Sequence, residues 1–158
     1  MLILKLMAPF LIFLLIGAGE TKIISRCALA NLIADLVPDG YARYTINDWI
    51  CLAHSASYFD SMKISKQEED SARRYGIFQF SNMEHCSDGC RSSLNICRTQ
   101  CTNFINDDLR DDIRCVMKII RADTGFDEWR VYGVNCKGKN LARWIQGCTI
   151  VKPWDKWR

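Results

Sequence analysis

CTNFINDDLRDDIRCVMKII, residues 101–120, carries two signals in one stretch. Its second half places Leu109, Ile113, Val116 and Ile120 at spacings of three and four, the stripe of an amphipathic helix. Its first half crowds Asn103, Asn106, Asp107, Asp108, Asp111 and Asp112 together, with cysteines on either side at Cys101 and Cys115. Acidic residues in a first helical turn complement the helix dipole and cap its orphan N–H groups. They also repel one another, and with the neighbouring Asn oxygens they form the hard, flexible donor set that Ca²⁺ takes. From the spacing alone both readings stand, a capped and solvated face or a cation loop.

Outward from that stretch, the N-terminus reads as an export signal. Met1–Gly19 has one cation, Lys5, then an apolar run over residues 6–18 that ends in small residues. The run is too short for a membrane span and Pro9 interrupts it, so residues 1–19 are expected to be a signal peptide and the chain to be secreted and extracellular. No other segment approaches transmembrane length. The formal net charge of +3 is too small to imply nucleic acid as a partner. Nine cysteines behind an export signal read as a disulfide framework, and the odd number leaves at least one thiol without an intrachain partner.

The remaining pattern is helix-rich. Residues 26–36 place Leu29, Leu32, Ile33 and Leu36 on one face and stop at Pro38-Asp39-Gly40. Residues 46–56 form a second helical pattern behind Thr45 or Asn47 as cap. Tyr75, Ile77, Phe78 and Phe80 suggest a small antiparallel sheet, followed by a cysteine-bound loop over 81–101. Helix is expected again over 107–122 and briefly over 127–134 and 140–146. Helices, a small sheet, then helices make the fold class α+β.

Several motifs carry a resemblance. Arg26-Cys27-Ala28-Leu29-Ala30, Trp49-Ile50-Cys51, Tyr75-Gly76-Ile77-Phe78-Gln79, Cys86-Ser87-Asp88-Gly89, Trp129 and Trp144-Ile145-Gln146-Gly147-Cys148 stand in the order of one family. The chain resembles the c-type lysozyme and α-lactalbumin family over residues 20–148. The resemblance implies a lysozyme-like fold, a helical domain plus a small antiparallel β-sheet domain with four disulfides. It implies the pairs Cys27–Cys148, Cys51–Cys136, Cys86–Cys101 and Cys97–Cys115. Cys90 falls outside the framework, as a free thiol or the link of a disulfide-bonded dimer.

The family's active members cleave β-1,4 linkages of peptidoglycan with two carboxyl groups, lysozymes being the type case of this chemistry. The acid is expected five residues beyond Cys51, where this chain has Ala56, and the second carboxylate just before Tyr75, where it has Arg74. Alanine donates no proton, and general acid help is worth about 10²–10⁴-fold. A fixed guanidinium opposes an oxocarbenium-like transition state. Gln79 and Trp129 remain at family cleft positions, while Glu84-His85 stand where sugar-stacking aromatics are usual. The expectation is a non-catalytic protein that binds N-acetylglucosamine-containing glycan or peptidoglycan, or serves a protein partner as a regulatory subunit. The alternative is an active muramidase that uses displaced acids, from Asp60 or from Glu68, Glu69 and Asp70. His54 reads as a solvated helix histidine.

The resemblance also bears on calcium, because α-lactalbumins and some lysozymes bind Ca²⁺ just before the Cys115 helix. Carried over, the ligands are side chains of Asn106, Asp111 and Asp112 and the backbone carbonyls of Asn103 and Asp108. Asn106 stands where an Asp is usual, which keeps an oxygen but removes a charge. Residues 149–158, TIVKPWDKWR, form a basic and aromatic tail beyond the last cysteine.

Overall fold

A pair of residues at the start of the second helix ties the helical layer together. In the computed structural model, which describes residues 22–66, 72–90, 92–121 and 124–153, helix α1 spans Arg26–Leu36 and α2 spans Ile46–Ser57. Asp48 Oδ2 accepts the Thr45 N–H at 2.8 Å and the Thr45 hydroxyl at 2.6 Å, so Thr45 is the cap. Oδ1 of the same carboxylate accepts the Tyr132 hydroxyl at 2.7 Å. That bond joins the first turn of α2 to α4 (Arg130–Asn135), α3 being Arg110–Ile120. Helix α2 packs against both α1 and α4, and Leu29, Ile33, Trp49, Ile50, Leu52, Ile113 and Val116 are fully buried between the layers. Burial of this apolar area, at about 25 cal/mol per Å², is the dominant favourable term.

The sheet is smaller than the sequence pattern suggests. Strand β1 is Arg74–Tyr75 and β2 is Phe80–Ser81, antiparallel, with Tyr75 opposite Phe80. Ile77 and Phe78, expected to continue an alternating strand, lie in the turn between them and are fully buried. The turn is tight because Gly76 sits at φ +73°, where an added Cβ would meet the Phe104 carbonyl oxygen at 2.0 Å. A bridge from Ile64 to Tyr75 and the Ser65 N–H to Arg74 O bond of 2.9 Å extend the sheet on its other side.

Helix α3 begins at Arg110, not at Asp107. Asn106 Oδ1 accepts the Asp108 N–H at 2.7 Å, and Asp108 Oδ1 accepts the Arg110 N–H at 3.2 Å. These local bonds satisfy the backbone in turns and hold Asp107 and Asp108 outside the helix. The two short helical stretches near the C-terminus divide similarly, into 3₁₀ turns at Gly125–Glu128 and Ala142–Trp144 on either side of α4.

Four disulfides join Cys27 to Cys148, Cys51 to Cys136, Cys86 to Cys101 and Cys97 to Cys115. The first two close separations of 121 and 85 residues, where cross-linking restricts the unfolded chain most. Cys90 is free and exposed. The start of the tail folds back on α1: Asn31 donates to Thr149 O at 3.0 Å and accepts the Val151 N–H at 2.8 Å. The expected signal peptide, Glu68, Glu69 and Asp70, and the tail tryptophans Trp154 and Trp157 lie outside the described residues. No helix among the described residues is long and apolar enough to cross a membrane.

Candidate functional site

Where helix α2 ends against the sheet, a cleft of about 390 Å³ opens, and Ala56, Arg74, Gln79 and Trp129 all line it. Ala56 comes from the last turn of α2 and Arg74 from β1, so the two layers bring the two exchanged positions to one cavity. The Lys63 ammonium donates to the Ala56 carbonyl at 2.8 Å. A cation thus satisfies an orphan carbonyl at the C-terminal end of α2, where the dipole favours positive charge. Asp60 is committed elsewhere. Its Oδ1 accepts the Lys22 and Met62 N–H groups, each at 3.0 Å, which makes it a turn residue.

Gln79 and Trp129 are held by the fold as much as offered to the cleft. The Gln79 amide donates to Gly76 O at 2.8 Å and Lys63 O at 3.1 Å, bracing the turn behind Arg74. The Trp129 indole N–H donates to the buried Phe78 carbonyl at 2.7 Å. Each fixes a wall of the cavity.

The sequence reading passed over a pair in the same cleft. His85, 2% exposed, lies nearly parallel to Trp129 (13° between planes, centroids 5.9 Å apart). Its Nδ1 accepts the Ser81 N–H at 3.0 Å, so the neutral ring carries its proton on Nε2, which faces Glu128 Oε1 at 3.4 Å. Burial, with the Arg74 cation adding to it against Glu84, lowers the His85 pKa to about 4. Glu84, His85 and Glu128 offer one ligand atom each within 4.8 Å of one another, a set that could hold a metal ion. A metal on Nε2 would need the ring proton moved to Nδ1, at the cost of the Ser81 bond. The local signal for this pair is adjacency, since His85 immediately precedes Cys86 and Glu128 immediately precedes Trp129.

His54 is half-buried rather than freely solvated. Its ring packs 4.6 Å from Trp144 and 5.0 Å from Tyr58, and burial together with Arg143 lowers its pKa.

In the acidic loop the expected ligands have different fates. Asp112 is 1% exposed and neither carboxylate oxygen has a hydrogen-bond partner. Burial first, then the neighbouring Asp111, raises its pKa well above the ordinary carboxylate value. A buried carboxylate without a donor, beside a second one, is what a bound cation would neutralise, so the residues fit the group. Asn106 turns its amide nitrogen to the Asn103 carbonyl and its oxygen to the Asp108 N–H. Both oxygens would have to exchange those bonds for an ion. Arg110 pairs with the exposed Asp108 side chain at 3.1 Å, and Lys22 pairs with Asp107. Among the described residues no ion pair reaches Asp112.

The profile of the C-type lysozyme/alpha-lactalbumin family matches residues 22–148. The chain belongs to that family. It is similar to sperm acrosome membrane-associated protein 3 of Mus musculus, 36% identical over 139 residues, covering 88% of this chain and 62% of that relative. Sperm acrosome-associated protein 5 of Bos taurus is 34% identical over 143 residues, covering 90% and 91%. Among solved structures, apo canine milk lysozyme superposes at a TM-score of 0.78 with 30% identity, covering 82% of this chain and all (100%) of that one. This C-type lysozyme relative therefore has the family fold, and its cleft is lined by Ala56 and Arg74.

Proposed function

We propose that this lysozyme-like protein is a non-catalytic glycan-binding module, with N-acetylglucosamine-containing chains as its ligand class. The observation that carries the reading is that the cleft is open while its two acid positions hold Ala56 and Arg74. A methyl group cannot protonate a leaving oxygen, and Asp60 is tied to the backbone and cannot replace the acid. The family's exported, disulfide-bonded character and the acrosomal names of two relatives support a secretory-route location, with residues 1–19 as the signal peptide, 20–148 as the lysozyme-like domain and 149–158 as the tail.

The acidic loop is read as a Ca²⁺ site that stabilises the domain, held by Asp111, Asp112 and Asn106 side chains with the Asn103 and Asp108 carbonyls. The buried, donor-free Asp112 supports this reading. The exposed Cys90 supports a second mode of action, a disulfide to a protein partner or a second copy.

The test is a titration of the isotopically labelled protein with tetra-N-acetylchitotetraose, followed by NMR. The reading expects saturable shifts of the Trp129 indole and the backbone N–H groups around Gln79. A spectrum unchanged at millimolar sugar would overturn it and leave the protein-partner role.

A further inference from the structure

The residues at the two positions also bear on which ligands the cleft accepts, because one of them, Arg74, brings a fixed cation to its wall. Arg74 lines the cavity, and Arg130 lines it from the first turn of α4, exposed and without a hydrogen bond or ion pair among the described residues. Two carboxylates oppose these cations: Glu128, which lines the cleft and faces His85 Nε2, and the exposed Glu84, whose carboxylate lies within 4.8 Å of both. His85 adds no charge of its own at neutral pH. A concave site with cations on its walls focuses positive potential into the space a ligand would enter. Arginine presents planar, forked donors that match a carboxylate, and such charge-assisted bonds are stronger than neutral ones.

We infer that the cleft selects carboxylate-bearing amino-sugar oligosaccharides over neutral ones, with Arg130 as the residue that meets the sugar's carboxylate. The inference rests on the glycan-binding reading and narrows it to a ligand chemistry. A sugar carboxylate reaches such a site from two sources, an internal uronic acid or a terminal sialic acid. The shared feature is a fixed anion beside an N-acetylated sugar. Glu128 works against that anion, so its neutralisation strengthens the preference.

The experiment is isothermal titration of the full disulfide-bonded chain with matched probes. One is a tetrasaccharide alternating glucuronic acid with N-acetylglucosamine, and another is a sialylated N-acetyllactosamine. Each is paired with its carboxyl-reduced counterpart, and tetra-N-acetylchitotetraose is included as the neutral reference. At least one acidic probe is expected to bind about tenfold more tightly than its reduced counterpart, the gain of one charge-assisted contact. Which acidic probe shows the gain identifies the source. Raising the salt to about 1 M should shrink the preference, because the Debye length falls to about 3 Å. Arg130→Gln should remove most of the preference, with an unchanged near-UV circular dichroism spectrum reporting an intact fold. Glu128→Gln should increase it. Equal affinity for acidic and reduced probes, with the neutral reference still bound, would overturn the charge selectivity and leave the glycan-binding reading standing. No binding of any probe would overturn both, and a preference untouched by Arg130→Gln would overturn the assignment to Arg130.

Discussion

The cleft and the acidic loop have moved in opposite directions along one physical axis. In the cleft, Ala56 and Arg74 present a methyl group and a guanidinium, and a lysine closes the helix end behind them. In the loop, four aspartates remain within six residues, and one of them is buried with no donor at all. Holding carboxylates close together out of water is costly. The cleft lining has a methyl group and a guanidinium at Ala56 and Arg74. In the loop, Asp112 keeps a buried carboxylate whose charge a bound cation would neutralise. Stability and function are set separately in the two regions.

Three changes sharpen that contrast, beginning with the largest. In the cleft, His85 has a folded pKa near 4 against 6.5 when unfolded. The unfolded chain therefore binds the extra proton first as pH falls. The neutral, buried ring contributes stability that is fully present above pH 6.5 and is lost as pH drops towards 4. The shift corresponds to about 3 kcal/mol. Denaturant unfolding followed across that range should show the slope, and His85→Gln should flatten it.

In the loop, a hundredfold excess of Ca²⁺ over its Kd should add about 2.7 kcal/mol. Asp112→Asn should abolish that gain, read as thermal midpoints with calcium and with chelator. A calcium response that survives Asp112→Asn would break the contrast, because the orphan carboxylate would then have another purpose. The smallest expected effect lies at Lys63. Lys63→Met leaves the Ala56 carbonyl without its donor and should cost about 1 kcal/mol by chemical denaturation.

Local patterns made some of this legible before the structure. Thr45, one of two cap candidates, marks the start of α2, and the apolar spacing in residues 109–120 marks the helix that became α3. The turn at Ile77 and Phe78 misled the strand reading, because a buried turn and a buried strand carry the same apolar residues. Asp107 and Asp108 misled the helix boundary, since side chains that bond neighbouring N–H groups compete with helix. The half-burial of His54 was not legible, because its ring partners Tyr58 and Trp144 converge only in three dimensions. The same holds for His85 and Glu128, whose contact depends on the sheet and α4 meeting across a cavity. Motif order located Ala56 and Arg74; only packing shows what surrounds them.

On the proposed reading, the cleft keeps the family's shape and lacks its acids. The most direct measurement is prolonged incubation with an oligomer of N-acetylglucosamine and N-acetylmuramic acid, read by mass spectrometry. The unmodified chain and the Ala56→Glu/Arg74→Asp double variant would be run side by side. The account predicts no cleavage by the unmodified chain and measurable hydrolysis by the double variant, with restored general acid help alone worth about 10²–10⁴-fold. Cleavage by the unmodified chain would contradict it.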